Sequence, residues 1–327
     1  NSTLHMIGLI SNANVHSSME HFYAALALAK IRKVKSVVFH FITDGRDSLP
    51  MSGNKLISEF MAKASKLGLG TIGTICGRYY AMDRDNNYDR VKKAYDAIVY
   101  NGVLFLNYRP ERIRELISAF TDESFNMFNV KKFKNVRYAS LYSVDNMIDG
   151  AFSQEPITGT FGRYLADLGF KQARIAESEK YPHVTYFFDG TEELSDKNLY
   201  KILVPSPKVA RYDMKPEMNA SEVTEAVLDA MDDDFDFILV NYANPDMVAH
   251  TGNIPACVRA LEACDVCIGH IMEKAQENFY ELVITSDHGN IEYMKDVDGN
   301  VITSHTSNKV PFIICNKDYK IKKSGTL

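Results

Sequence analysis

Residues 4–43, LHMIGLISNANVHSSMEHFYAALALAKIRKVKSVVFHFIT, decide the fold. The stretch opens on an apolar run, LHMIGLI (4–10), and closes on another, VKSVVFHFIT (34–43), each of strand length. Between them, residues 18–31 place apolar side chains three and four apart, the spacing of a helix with one buried face. Strand, helix, strand in that order predicts a βαβ unit, and hence a mainly parallel sheet. The pattern continues outward: LGTIGTIC (69–76) and GVLFLNY (102–108) read as buried strands, and 55–67 and 87–99 as helices.

Near 145–160 the segment DNMIDGAFSQEPITGT is polar, aperiodic and bears Gly and Pro. A domain boundary is expected there, at about residue 154, giving domains 1–153 and 154–327. Alternation then resumes. RIAE (174–177), VTYFF (184–188), FDFILVNYA (235–243) and ELVITS (281–286) read as strands, with helices over 219–231 and 254–274. The expectation is an α/β protein of two domains, each a mainly parallel sheet flanked by helices.

Composition narrows the functions. Of 327 residues, 46% are hydrophobic and 24% charged, an ordinary globular balance. The net charge of −5, with no basic block, argues against nucleic-acid binding. No apolar run approaches the roughly 18 residues a membrane span needs. The first residues lack the basic region and cleavage site of a signal peptide. Five cysteines make no disulfide framework for a chain this size, which fits a reducing, cytoplasmic setting.

Two motifs are set aside. Gly68-Leu-Gly70-Thr-Ile-Gly73 has the spacing of a dinucleotide fingerprint, but its glycines end a helix and enter a strand, the reverse of the required order. They read as a helix C-cap. Cys264-x-x-Cys267 lacks a second ligand pair at zinc-finger spacing, and Cys257, Leu261, Cys264, Ile268 and Ile271 make one helical stripe, read as core. His5, His21, His40, His183 and His270 are read as packing or surface residues.

Three segments carry chemistry. Asn244-Pro245-Asp246-Met-Val-Ala-His250 follows the strand FDFILVNYA, and four-residue spacing on a helical turn sends carboxylate and imidazole to one side. Ser286-Asp287-His288-Gly289-Asn290 lies at the carboxyl end of ELVITS, the edge at which open α/β sheets bind ligands. Ser304-His305-Thr306 lies on a loop leading into VPFIIC. Asp246, His250, Asp287, His288 and His305 are therefore candidate ligands, a mixture that suits Mn, Zn or Fe better than Mg or Ca. Five are too many for one open four-coordinate ion and too few for two, so a further group must complete a second site.

The first domain adds the basic half. Val15-His16-Ser17, Asp44-Gly-Arg46-Asp47, Gly77-Arg78-Tyr-Tyr-Ala-Met-Asp-Arg84 and Arg109-Pro-Glu-Arg112 each follow a predicted strand, so they should converge on one sheet edge. Converging arginines in an acidic chain imply a small polyanion, because guanidinium forks match carboxylate and phosphate two bonds at a time.

NPDMVAHTGN, SDHGN and SHTSNKVPF resemble the metal-binding segments of cofactor-independent phosphoglycerate mutases of the alkaline-phosphatase superfamily. GRYYAMDRD, DGRD and AESEKYPH match that family too. The resemblance covers nearly the whole chain. It implies interconversion of 3-phosphoglycerate and 2-phosphoglycerate through a phosphoserine intermediate on a two-metal site, most often with two Mn²⁺ ions. Asp246, His250 and His305 would hold one ion, and Asp287 and His288 the other. His16, Arg46, Asp47, Arg78, Arg84, Arg109 and Arg112 would bind the glycerate portion, and Lys180 the transferring phosphate. The first domain becomes the substrate-binding domain and the second the phosphatase-like one. A cytoplasmic monomer of glycolysis is the matching expectation.

Departures from the family pattern are specific. Ser11-Asn-Ala-Asn-Val-His16-Ser-Ser stands where the family reads SDGGVHSH. The nucleophilic serine and a further metal-binding aspartate are expected before Asn1, another segment between Tyr100 and Asn101, and a C-terminal piece after Leu327. Alternative readings are a phosphatase or phosphopentomutase of the same superfamily, and a non-catalytic binding homologue.

Overall fold

The structure is a computed structural model and describes residues 3–98, 103–109, 112–131, 136–144, 148, 150–152, 157–316 and 318–319. It divides into two compact units, residues 1–155 and 156–327. The boundary expected at about residue 154 lies outside the described residues, as do 99–102 around the expected internal gap.

The first unit runs β1 (Thr3–Ile10), α1 (Met19–Ile31), β2 (Ser36–Thr43), α2 (Gly53–Leu67), β3 (Thr71–Gly77), α3 (Arg78–Ala81), α4 (Tyr88–Ile98), β4 (Val103–Phe105), α5 (Arg114–Thr121), β5 (Tyr138–Tyr142) and β6 (Gly150–Phe152). These strands form one parallel sheet in the order β3-β2-β1-β4-β5-β6. Sequential strands are added outward from β1 in one direction, then from β4 in the other, so the topology switches between β1 and β4.

The inner strands are apolar on both faces because helices cover both. The edge strand β3, expected to be buried, instead exposes Ile72 and Ile75, because it has a neighbour on one side alone. On β1, Met6 and Ile10 face Phe22, Phe39, Phe41 and Phe60, whereas Ile7 and Leu9 face Val91, Tyr95, Phe105 and Leu116. Phe60 meets Phe39 edge-on at 4.8 Å between ring centroids. Truncating one such ring to Ala would cost about 3–5 kcal/mol. The helix ends follow their local chemistry. Ser18 caps α1 by accepting the Glu20 N–H, and Gly68 closes α2 at φ +63°, where a Cβ would be strained. Gly68 is thus the helix cap that the motif order implied.

The second unit runs α6 (Phe161–Asp167), β7 (Gln172–Glu177), α7 (Tyr181–Val184), β8 (Leu199–Val204), α8 (Ala220–Asp232), β9 (Phe237–Asn241), α9 (Asn244–Ala249), α10 (Ile254–Glu277), β10 (Val283–Thr285) and β11 (Phe312–Ile314). A parallel sheet β8-β7-β9 packs on α8 and α10 around Ala173, Ile175, Val223, Val227 and Ile271. β10 and β11 pair separately and antiparallel.

Two sequence expectations fail in this unit. VTYFF (184–188) is not a strand: Pro182 opens the short helix α7, and the chain stays coiled in turns, with the Phe187 and Asp189 N–H groups returning to the Pro182 and Thr185 carbonyls. Five apolar residues cannot separate strand from coiled backbone by periodicity alone. On α10 the buried line is Cys257, Ala260, Cys264, Cys267 and Ile271, and Leu261 points outward. The cysteines are free, and burial pushes the Cys264 thiol up to about 12, so it is an inert core group.

Candidate active site

In the first unit, β1 to β4 all point their carboxyl ends the same way, so the loops after them share an edge. The loop after β1 meets the one after β4 directly. Tyr108 donates its N–H to the His16 carbonyl at 2.9 Å, and the Leu9 N–H donates to Asn107 Oδ1. That places His16 at the switch point between β1 and β4, where doubly wound sheets bind ligands.

Around it stands a charged cluster. Arg78 Nη1 donates to Asp44 Oδ1 at 2.7 Å and to Asp47 Oδ2 at 2.5 Å, and His16 Nε2 lies 3.8 Å from Asp47 Oδ2. Burial, then the positive charges of Arg78, Arg112 and Arg109, hold the His16 imidazole well below its ordinary range despite Asp47. His16 is therefore neutral beside these arginines. Arg78 is buried, and its second terminal nitrogen, Nη2, has no hydrogen-bond partner among the described residues. A buried donor left open beside further arginines fits an incoming carboxylate or phosphate. Arg46 and Arg84 lie on the adjoining loops, after β2 and after α3. Asp44, which anchors Arg78, lies in the DGRD motif, whose sequence alone does not mark its role.

The second unit gathers all five expected ligands and Lys180. Asp246 and His250 lie on and just past α9, which follows β9; Lys180 follows β7; Asp287 and His288 follow β10. Asp246 Oδ1 is 3.3 Å from His250 Nε2 and 3.1 Å from His305 Nε2, and the two nitrogens are 3.2 Å apart. His250 donates through Nδ1 to the Thr303 carbonyl at 2.6 Å, which turns Nε2 toward the carboxylate. Donor atoms converging in this way suit a cation between them. Ligand bonds near 2.0–2.2 Å put neighbouring donors about 3–3.6 Å apart, the spacing found here. Asp246, His288 and His305 also offer ligand atoms within 4.8 Å of one another, and the His288 and His305 rings stack at 3.7 Å.

Lys180 joins the two groups. Its Nζ is 3.1 Å from Asp246 Oδ2, 3.0 Å from Asp287 Oδ2 and 3.3 Å from His288 Nε2. Burial alone would raise the Asp246 carboxyl, but His250, His305 and Lys180 outweigh it and hold it well below the carboxylate range. Asp287 is lowered likewise, with Lys180 and His288 outweighing its burial. Burial and Lys180 depress the His288 imidazole. Ionised carboxylates and a neutral imidazole are the forms that ligate metals. The donor set fits a divalent ion.

Two partners escaped the sequence reading. Asn290 Nδ2 donates to Asp246 Oδ1 at 2.7 Å, and Glu292 accepts the Asn290 N–H at 2.6 Å. Asn290 was within the quoted SDHGN motif; nothing local marked Glu292.

Comparison with known proteins gives the family. Residues 61–327 match the metalloenzyme superfamily, and residues 1–102 match the N-terminus of BPG-independent phosphoglycerate mutases. A 2,3-bisphosphoglycerate-independent phosphoglycerate mutase of Clostridioides difficile is 38% identical over 98% of this chain and 72% of its own length. One from Clostridium perfringens is 40% identical over all of this chain and 74% of its own. That alignment spans 379 positions against a chain of 327, so the relative carries residues within the matched region that this chain lacks. The crystal structure of Leishmania mexicana phosphoglycerate mutase at low cobalt concentration superposes with a TM-score of 0.90 and 27% identity, over 96% of this chain and 70% of that one. The chain belongs to the 2,3-bisphosphoglycerate-independent phosphoglycerate mutases, isomerases within the metalloenzyme superfamily.

Proposed function

We propose that the second unit holds two Mn²⁺ ions and that the first binds the glycerate part of the substrate during interconversion of 3- and 2-phosphoglycerate. The observation that carries this reading is the triangle of Asp246, His250 and His305 donor atoms, 3.1–3.3 Å on each side. These three would hold one ion, and Asp287 and His288 the other. When bound, the ions would neutralise charge on the transferring phosphoryl group and hold its oxygens in line. Mn²⁺ is favoured because the ligands mix imidazole with carboxylate.

The chain's own residues supply the rest. The Lys180 ammonium donates to a phosphate oxygen. His16, Arg46, Asp47, Arg78, Arg84, Arg109 and Arg112 hold the glycerate carboxylate and hydroxyls. Retention decides the outcome, because glycerate that escapes leaves water as the acceptor and the net reaction becomes hydrolysis. The serine that takes the phosphoryl group is assigned to no residue among 1–327. A domain division at about residue 154, a monomeric state, a cytoplasmic location and a place in glycolysis complete the reading.

The test is ³¹P NMR of 3-phosphoglycerate with the whole gene product, with Mn²⁺ and after chelation. The expected result is 2-phosphoglycerate with Mn²⁺ and none without it. Inorganic phosphate as the only product would instead favour a phosphatase.

A further inference from the structure

The three segments that carry the candidate metal ligands are joined by a carboxylate outside that ligand set. Glu292 Oε2 accepts the Asn290 N–H at 2.6 Å. Its Oε1 accepts from the Thr306 hydroxyl and, at 3.0 Å, from Asn308 Nδ2. One side chain thus ties the loop bearing Asp287 and His288 to the loop bearing His305. The same two loops also share a backbone bond, from the Thr306 N–H to the Gly289 carbonyl at 2.8 Å.

The tie extends to the third segment. Asn290 is buried, and its Nδ2 donates both to Asp246 Oδ1 at 2.7 Å and to the Asp246 carbonyl at 3.4 Å. Both partners are pure acceptors, so the amide orientation is fixed by chemistry. Glu292 therefore holds the backbone of the residue whose side chain holds Asp246. Gly289 makes room for this: a Cβ there would lie 2.4 Å from Glu292 Oε1 and 2.2 Å from Thr306 Oγ1.

We propose that Glu292 is a positioning residue of the metal centre, fixing the spacing of His288, His305 and Asp246 through Asn290, Thr306 and Asn308. This rests on the metal-site reading above. The role requires a carboxylate. Three donors converge on two oxygens, and an amide at position 292 would turn an NH₂ group toward one of them. Glu292 itself is exposed, so replacing it opens no core cavity and should spare the fold.

The experiment compares parent, Glu292→Gln, Glu292→Asp and Thr306→Val by Co²⁺ titration, by the visible ligand-field spectrum of the Co²⁺-loaded protein, and by the melting temperature without metal. Losing a partner that orients ligands should weaken metal binding about 10- to 100-fold. The expected result is that loss in Glu292→Gln, with an altered Co²⁺ spectrum, a smaller loss in Thr306→Val, and an unchanged metal-free melting temperature. Co²⁺ affinity within twofold of the parent and an unchanged spectrum would overturn the proposal. So would affinity losses that merely track loss of metal-free stability across the variants. A parent that binds no Co²⁺ would instead sink the metal-site reading itself.

Discussion

The Lys180 ammonium lies 3.1 Å from Asp246 Oδ2, on the opposite oxygen from the one that faces His250 and His305. One carboxylate thus serves an imidazole pair on one side and a fixed cation on the other. Lys180 is almost fully buried, so its charge is held in place rather than waving in solvent.

The consequence for ion binding has a definite sign. An ammonium bonded to both Asp246 and Asp287 competes with a dication for the same oxygens. Lys180→Met should therefore tighten Mn²⁺ binding, by about tenfold if one charge-assisted bond of about 1.5 kcal/mol is released. It should also weaken phosphoglycerate binding by at least as much. Calorimetric titration of each ligand checks both, and weaker Mn²⁺ binding would contradict the argument.

Arg78 and Arg84 separate stability from recognition. Arg78 is bonded to two carboxylates buried with it, so Arg78→Ala takes a fixed cation from both and should cost about 3–5 kcal/mol of stability as well as substrate affinity. Arg84→Ala should weaken phosphoglycerate binding by about 1.5–3 kcal/mol, with metal content intact. Denaturant melts and substrate titrations of the two variants, with metal analysis, decide this. Unchanged affinity in both would remove them from the substrate site.

Much of this is legible in the sequence. The four-residue spacing of Asp246 and His250 announces a helical turn, and the strand-end positions of Arg78, Arg109 and Asp287 follow from alternation along the chain. What was hidden depends on loops meeting loops. Glu292 finds Thr306 and Asn308 across an irregular segment with no period to read. VTYFF misled because its aromatic run suits a strand, whereas Phe188 is used to pack on the Arg174 guanidinium, 4.3 Å from the ring centre.

Acid should act on the first unit at a buried histidine pair. His5 Nδ1 and His40 Nε2 are 2.8 Å apart in the buried sheet, and His40 Nδ1 is 2.8 Å from Thr74 Oγ1. Burial, with a smaller contribution from His5, pushes His40 down to about 4. Since the unfolded imidazole binds its proton near 6.5, the unfolded chain takes up more protons between those values. Stability is therefore full above about pH 6.5 and falls through pH 4, by up to about 3 kcal/mol. Melts of the parent and His40→Phe between pH 4 and 7 should show a steeper loss in the parent.

Glu115 runs the other way. It is buried beside Asp83, and burial lifts its carboxyl to about 7, although the Asn86 N–H bonded to Oε1 opposes the rise. The folded state keeps a proton that the unfolded chain releases near 4.5, so this group's contribution is present below that pH and lost as pH rises through 7. Glu115→Gln resembles the protonated acid. It should stabilise the protein by about 1–2 kcal/mol at pH 8 and leave it unchanged at pH 4.5, as denaturant melts at the two values would show. Equal effects at both would refute the assignment.

The strand order β3-β2-β1-β4 has a bearing on how this protein could change its ligand. The four loops proposed to bind the anion follow four different strands, while most of the hydrophobic register that sets the sheet lies within those strands. Exchanges at the half-buried and exposed positions 12–15, 45–46, 84–87 and 108–109 leave that register untouched. The solvent-facing tips of these loops are thus separable from the sheet, and a new anion could be accommodated by revising them on an unaltered chassis.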